Sequence, residues 1–221
     1  DHELGSFLGL SYIEFVETLL QAPAVKDGGL ILDVATGTAL IPRRLVDTVR
    51  GSTRVVGLDI TPAMLQEAQA RLPSRDSSSA ISLVCASGMD MPFAHAVFDL
   101  VVCGFGTHHM DLSRMLSEMR RVLKGGGNLV LVDAGIPTWW RSMWARLLLK
   151  AALLVYRLSH RNARAQAEVT AFANVRTAGE WHTLLVHAGF VDVDIAESHT
   201  RRSWYPHALT MRAVAGAGSD L

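Results

Sequence analysis

Residues 32–40 read LDVATGTAL, an apolar run that ends on an acid and turns into a loop with one glycine. Loops that cradle pyrophosphate between a strand and a helix use G-x-G-x-x-G, so that backbone N–H groups can approach the phosphates at the helix N-terminus. Here the small residues are Ala35, Gly37 and Ala39, spaced by two, and Asp33 sets a carboxylate at the mouth. A carboxylate repels phosphate and suits a cationic ligand. The loop's spacing fits a ligand other than a dinucleotide.

Working outward, GGLILDVA reads as a buried strand bounded by glycines, and ALIPRRLVDTV as the helix after it, with Pro42 tolerated in the first turn. TRVVGLDI is a second strand. TPAMLQEAQARL is a helix with Thr61 as its N-cap and Pro62 at its first position. ISLVCA and FDLVVCGFG give a third and a fourth strand. DLSRMLSEMRRVL is a helix capped by Asp111, and GGGNLVLVDAG is a fifth strand after a glycine stop. AGEWHTLLVHAGF, VDVDIAES and HALTMRAV close the chain as a helix and two strands. Continuous apolar strands alternating with helices predict an α/β fold, a doubly wound and mostly parallel sheet covered on both faces.

The bulk composition bounds the rest. Of 221 residues 49% are hydrophobic, enough for one domain with a sizeable core. Twenty-one basic residues balance twenty-one acidic ones, which argues against a whole-surface nucleic-acid binder. Cys85 and Cys103 lack the spacing of a zinc site or disulfide framework and read as two buried thiols in a reducing compartment. No metal is expected: His182 and His187, five apart on a helix, are poorly spaced for one and read as surface or packing residues. No secretory leader is visible, and the expectation is a cytoplasmic protein.

In open α/β sheets ligands bind outside the carboxyl ends of the strands, so the residues just past each strand matter most. Asp59 ends the second strand, where a carboxylate can accept from both hydroxyls of a ribose. The third strand leads into ASGMDMPF and the fourth into GFGTHHM. These two loops would wall an adenine and a reactive end.

Taken in order, the motifs from Leu30 to Asp133 resemble the class I S-adenosylmethionine-dependent methyltransferases, and most nearly the branch that serves ubiquinone and menaquinone biosynthesis. DVATGTA matches D-x-A/G-x-G-T-G after the first strand. Asp59 followed by TPAML, then SGMDMPFAHAVFD, then the HHM to GGG run match the next motifs at family spacing. The resemblance implies a Rossmann-like sheet of seven strands with a helical insertion after the fifth, and S-adenosylmethionine as cofactor. It implies one domain over 1–221: a helical cap at 1–28, a cofactor-binding core at 29–135, an insertion at 136–176, and a closing helix and strands at 177–215.

It also implies roles. Asp33 and the backbone of Ala35, Thr36, Gly37 and Thr38 would hold the methionine end. Asp59 would hold the ribose, with Ile60 and Met64 flanking the adenine. Ser87, Gly88 and Met89 would line the adenine edge, and Gly104 and Phe105 the reactive end. Two positions depart from the family: Ala39 stands for the usual last glycine, and Ser87 for an aspartate that accepts from the adenine amino group.

His108 and His109 are the candidates for chemistry, because imidazole can accept a proton near neutral pH as a methyl group is transferred. The pair also suits a structural or gating element. Tyr12, in the helical cap at 1–28, could reach the site or could simply pack.

The segment 139–164 combines three tryptophans and many leucines with six basic and no acidic residues between Arg141 and Arg164. It suits a core or dimer-interface helix, a lid over a hydrophobic substrate, or a helix at a membrane surface giving peripheral contact. The expected partner is a small, apolar molecule of natural-product or lipid type, with oligomeric state left open. Two rivals stand beside the transferase reading: a nucleotide-dependent oxidoreductase, and a non-catalytic protein that binds the cofactor or a partner.

Overall fold

In the computed structural model, which describes residues 16–19, 21, 25–48, 52–72, 80–144, 175–198 and 206–217, the chain alternates strand and helix. Strand β1 (Leu30–Val34) leads to α1 (Leu40–Thr48), β2 (Arg54–Asp59) to α2 (Pro62–Arg71), and β3 (Ile81–Cys85) directly to β4 (Phe98–Gly104). Helix α3 (Leu112–Val122) runs without a break into β5 (Leu123–Gly135), and α4 (Ala178–His187), β6 (Phe190–Glu197) and β7 (His207–Ala215) follow.

The seven strands form one sheet in the order β3-β2-β1-β4-β5-β7-β6. The first five are parallel, and β7 lies antiparallel between β5 and β6. After β1 the chain moves outward to β2 and β3, then returns to place β4 on β1's other side. In open α/β sheets such a reversal, here outside the carboxyl ends of β1 and β4, is where ligands bind.

Strand periodicity explains why the runs are apolar throughout. Leu32, Val34, Val101, Cys103, Leu129 and Leu131 pack on one face with Met115, Leu116 and Met119 of α3 and Trp181 and Leu185 of α4. Their neighbours Ile31, Leu100, Val102, Val130 and Val132 pack on the other with Ile41 and Leu45 of α1 and with Val16 and Leu19. With a period of two, each strand needs apolar residues at successive positions to satisfy both layers. Helix α3 buries Leu112, Met115, Leu116, Met119 and Val122, the spacing of one helical stripe. Each such side chain contributes about 1.5–3 kcal/mol by its burial.

Several local expectations change. Asp111 does cap α3, its carboxylate accepting from Arg114 N–H at 3.0 Å. Thr61 occupies the N-cap of α2 without its hydroxyl capping the helix. Its backbone N–H instead donates to Asp59 Oδ1 at 2.8 Å. The glycines before β5 do not stop the helix. They lie inside the strand, and the register with β4 shifts between Phe98 and Leu100, where Gly126 at φ 76° lets the backbone bulge. Cys85 is exposed, contrary to the reading of two buried thiols, because β3 is an edge strand; Cys103 is buried.

Tyr12 and most of the 1–28 cap lie outside the described residues, as do residues 145–174 of the insertion. At the start of that insertion Thr138–Arg141 form a short 3-10 turn, and Arg141 reaches back to Glu180 of α4 at 2.7 Å. Among the described residues no helix is long and apolar enough to cross a membrane.

Candidate functional site

Three strands carry an aspartate at or near their carboxyl end: LILD in β1, VGLD in β2 and VLVD in β5. All three carboxylates act on the buried Cys103 thiol of β4. Burial is the main cause that pushes this thiol well above its ordinary value, and the charges of Asp33, Asp133 and Asp59 add to it. The carboxyl edge therefore gathers three carboxyl groups around one buried thiol.

Asp33 is fully buried, and neither oxygen has a hydrogen-bond partner. Burial raises its carboxyl from 3.8 to about 7, with the charge of Asp59 adding to the rise. The Thr36 hydroxyl is close enough to oppose this shift but does not reach hydrogen-bond geometry. A buried polar group without a partner costs stability, so a fold that keeps one has a use for it.

The loop past Asp33 has three residues in the left-handed region: Ala35 at φ 59°, Gly37 at 54° and Ala39 at 58°. A Cβ placed on Gly37 would meet nothing within 4 Å, so this backbone faces open space. Gly37 N–H donates to Asp59 Oδ2 at 2.8 Å, and Thr36 N–H to the Leu58 carbonyl at 3.0 Å. The loop is thus laid across the end of β2. Thr38 accepts from Arg71 at 3.3 Å on its outer side.

Asp59 is 9% exposed. Each oxygen takes one backbone donor, Gly37 on one side and Thr61 on the other. A carboxylate offers about four lone-pair sites, so about two remain for a ligand. Beside it Ile60 and Met64 are 66% and 45% exposed, unusual for large apolar side chains next to a crevice. A flat apolar ligand would cover them.

Ser87 accepts from Met89 N–H at 3.1 Å and bridges to Asp90, forming a tight turn after β3. Gly88 is packed: a Cβ there would lie 2.9 Å from the Met110 sulfur and 3.0 Å from Val34. The Met89 sulfur in turn accepts from Asp111 N–H at 3.2 Å. The β3 loop therefore leans on the β4 loop.

The β4 loop leans on the β1 loop. A Cβ on Gly106 would lie 2.4 Å from the Ala35 Cβ, a contact that only glycine permits. Gly104 ends β4, and Phe105 sits at φ 51°, strained for an aromatic residue, with its N–H donating to Val132 at 2.9 Å. The 3-10 turn Thr107–His109 follows, and the side chain of His109 lies outside the described residues. His108 Nδ1 lies 3.2 Å from Asp133 Oδ1, and Asp133 is almost completely buried. Asp133 also accepts from the backbone and hydroxyl of Thr107 and from Ala134 N–H.

Thus the β1 loop, Asp59, the β3 turn and the β4 loop converge on one edge. His182 and His187 lie exposed on α4. The sequence reading missed Asp133. Its signal was available: an acid at the end of VLVD, matching Asp33 and Asp59.

Comparison with known proteins gives the family. Residues 14–152 match the ubiE/COQ5 methyltransferase family. A ubiquinone/menaquinone biosynthesis C-methyltransferase from Geobacter sp. (strain M21) is 35% identical over 115 residues, 52% of this chain and 49% of that protein. A demethylmenaquinone methyltransferase from Desulfitobacterium hafniense is 35% identical over 120 residues, 54% of this chain and 47% of that one. The chain spans about half the length of the curated relatives it matches. Among solved structures, phosphoethanolamine N-methyltransferase 2 of Haemonchus contortus, in complex with S-adenosyl-L-methionine, superposes with a TM-score of 0.70 at 14% identity. That alignment covers 93% of this chain and 53% of that one, a likeness of fold. The chain belongs to the ubiE/COQ5 methyltransferase family, within the class I S-adenosylmethionine-dependent methyltransferases.

Proposed function

We propose that this chain transfers a methyl group from S-adenosylmethionine to a small, apolar acceptor of lipid or natural-product type. The observation that carries the reading is Asp33: a buried carboxylate without a partner, beside a loop that faces open space and a second carboxylate with acceptor sites to spare. A cationic nucleoside is the kind of ligand this set fits, whereas a pyrophosphate would be repelled.

When bound, S-adenosylmethionine supplies a methyl group made electrophilic by its sulfonium. Asp33 and the backbone from Ala35 to Thr38 hold the methionine end, and Asp59 accepts from the ribose. Ile60 and Met64 flank the adenine, with Ser87, Gly88 and Met89 at its edge. Gly104 and Phe105 border the reactive end. The chain's own part is to orient the acceptor, exclude water and manage a proton, and orientation alone can be worth several kcal/mol. The candidates for that proton are His108 and His109.

Two observations support an apolar acceptor. The matched relatives carry the names of quinone-biosynthesis methyltransferases. Trp139, Met143 and Trp144, at the start of the insertion, are exposed. A ring carbon of a demethylated quinone precursor is thus the first acceptor to try. The test is to incubate the protein with S-adenosylmethionine and either a demethylated quinol, a simple phenol or a polar amine, following S-adenosylhomocysteine. Formation with the quinol or phenol and not with the amine is expected. Turnover of the amine alone would overturn the apolar assignment, and binding of the cofactor without turnover of any acceptor would overturn the transferase reading.

A further inference from the structure

We propose that Asp133 is the positioning residue of a His108–Asp133 pair, which holds the His108 ring with its hydrogen on Nδ1 and makes Nε2 the atom that takes a proton from the acceptor. This rests on the methyl-transfer reading and goes beyond it by assigning the atom and its support.

The geometry carries the assignment. Asp133 is 2% exposed at the end of β5, in the central part of the sheet. Thr107 N–H donates to its Oδ2 at 3.1 Å, the Thr107 hydroxyl donates to the same oxygen, and Ala134 N–H donates to Oδ1 at 2.6 Å. A carboxyl group that already receives three donors acts as an acceptor. The hydrogen in the 3.2 Å contact between Oδ1 and His108 Nδ1 therefore belongs to the ring. In a neutral imidazole this leaves Nε2 without a hydrogen and basic.

The two donors from Thr107 also fix the residue before His108, so one carboxylate sets both the ring's tautomer and the backbone that carries it. The 3-10 turn is held against the cofactor loop by the Gly106–Ala35 contact. His108 is partly exposed, at 22% of its side chain.

The proton step balances simply. The acceptor's hydroxyl O–H bond breaks and its proton forms an N–H bond at Nε2. The electron pair left on the acceptor makes the ring carbon beside the oxygen nucleophilic. The bond from that carbon to the methyl forms as the methyl–sulfur bond breaks with its pair left on sulfur, and the carbon's own hydrogen then moves to the oxygen to restore the ring. The resulting imidazolium keeps its Nδ1–H on Asp133, where the negative charge stabilises it.

The test reads the tautomer directly. Nitrogen-15 histidine spectra of the full chain, with His108 assigned by its loss in His108→Gln, are recorded without acceptor at mildly alkaline pH. The native protein is expected to show a protonated Nδ1 and an unprotonated Nε2, and Asp133→Asn a mixture or the reverse. In Thr107→Val, which removes one donor and leaves the carboxylate, the native tautomer should persist even where stability falls. Turnover should drop by about a hundredfold or more in both His108→Gln and Asp133→Asn, with cofactor affinity changed by less than about threefold. A native ring protonated on Nε2, or full turnover in a folded Asp133→Asn, would overturn the pairing. Because the tautomer is read without acceptor, failure to find a methyl acceptor would strike the functional reading alone.

Discussion

Exchange of Asp33 for asparagine is expected to stabilise the cofactor-free chain at alkaline pH while weakening its hold on S-adenosylmethionine. The buried carboxyl is raised from 3.8 to about 7, chiefly by burial. The folded chain therefore keeps this proton over a pH range in which the unfolded chain has lost it. In that window the native state binds more protons, so the contribution of Asp33 to stability falls as pH rises from about 4 and is fully lost above about pH 8. At about 1.4 kcal/mol per tenfold change, the interval corresponds to about 4 kcal/mol. Asparagine escapes that penalty but leaves a buried amide with unmet hydrogen bonds, at a cost of about 1–3 kcal/mol.

The balance makes Asp33→Asn about 1–3 kcal/mol more stable than the native chain near pH 8.5, and no more stable near pH 4.5. Urea unfolding of both proteins across that range measures the difference. A saturating cation should remove the penalty in the native chain, so its midpoint should rise with S-adenosylmethionine and the variant's should rise much less. A variant less stable than native at alkaline pH, or a difference that does not change with pH, would refute the reasoning.

Other outcomes follow from the loops. Ala39 is buried at φ 58°; the left-handed region costs an L-residue about 1–2 kcal/mol, and glycine returns part of that gain through the unfolded chain. Ala39→Gly should therefore stabilise the chain by about 0.5–1 kcal/mol in urea unfolding, and a clear loss would show that packing of the methyl outweighs the strain. Gly106→Ala would drive a Cβ to 2.4 Å from Ala35, so calorimetry should find cofactor affinity reduced by about tenfold or more. Unchanged affinity and stability in that variant would mean that the two loops are not in contact.

The sheet was legible because a strand covered on both faces must be apolar over its central run, as at Ile31 and Leu32 of β1, Val55 and Val56 of β2, Leu100, Val101 and Val102 of β4, and Leu129, Val130, Leu131 and Val132 of β5. The alternation of elements placed Asp33, Asp59 and Gly104 at the carboxyl ends of β1, β2 and β4, where the structure has them. What the sequence hid was tertiary. Cys85 sits among valines like a core thiol, yet β3 has a neighbour on one side only. The positive φ of Ala35 and Ala39 follows from the loop's path over Asp59, and local propensity would not place alanine there. Thr61 looked like a cap for α2, but its backbone N–H serves Asp59 and its hydroxyl leaves the cap unmade. Asp133 could be noticed as an acid in an apolar strand, but its partnership with His108 depends on β4 and β5 being neighbours, which spacing along the chain does not reveal.

Beside Asp33, the account makes Asp59 the anchor of a cationic nucleoside's ribose, and this is its most directly measurable claim. Calorimetric titration of S-adenosylmethionine into the native chain and into Asp59→Ala tests this directly. Micromolar binding is expected in the native chain, weakened at least tenfold, about 1.4 kcal/mol, in the variant. Equal affinity in the two proteins would contradict it.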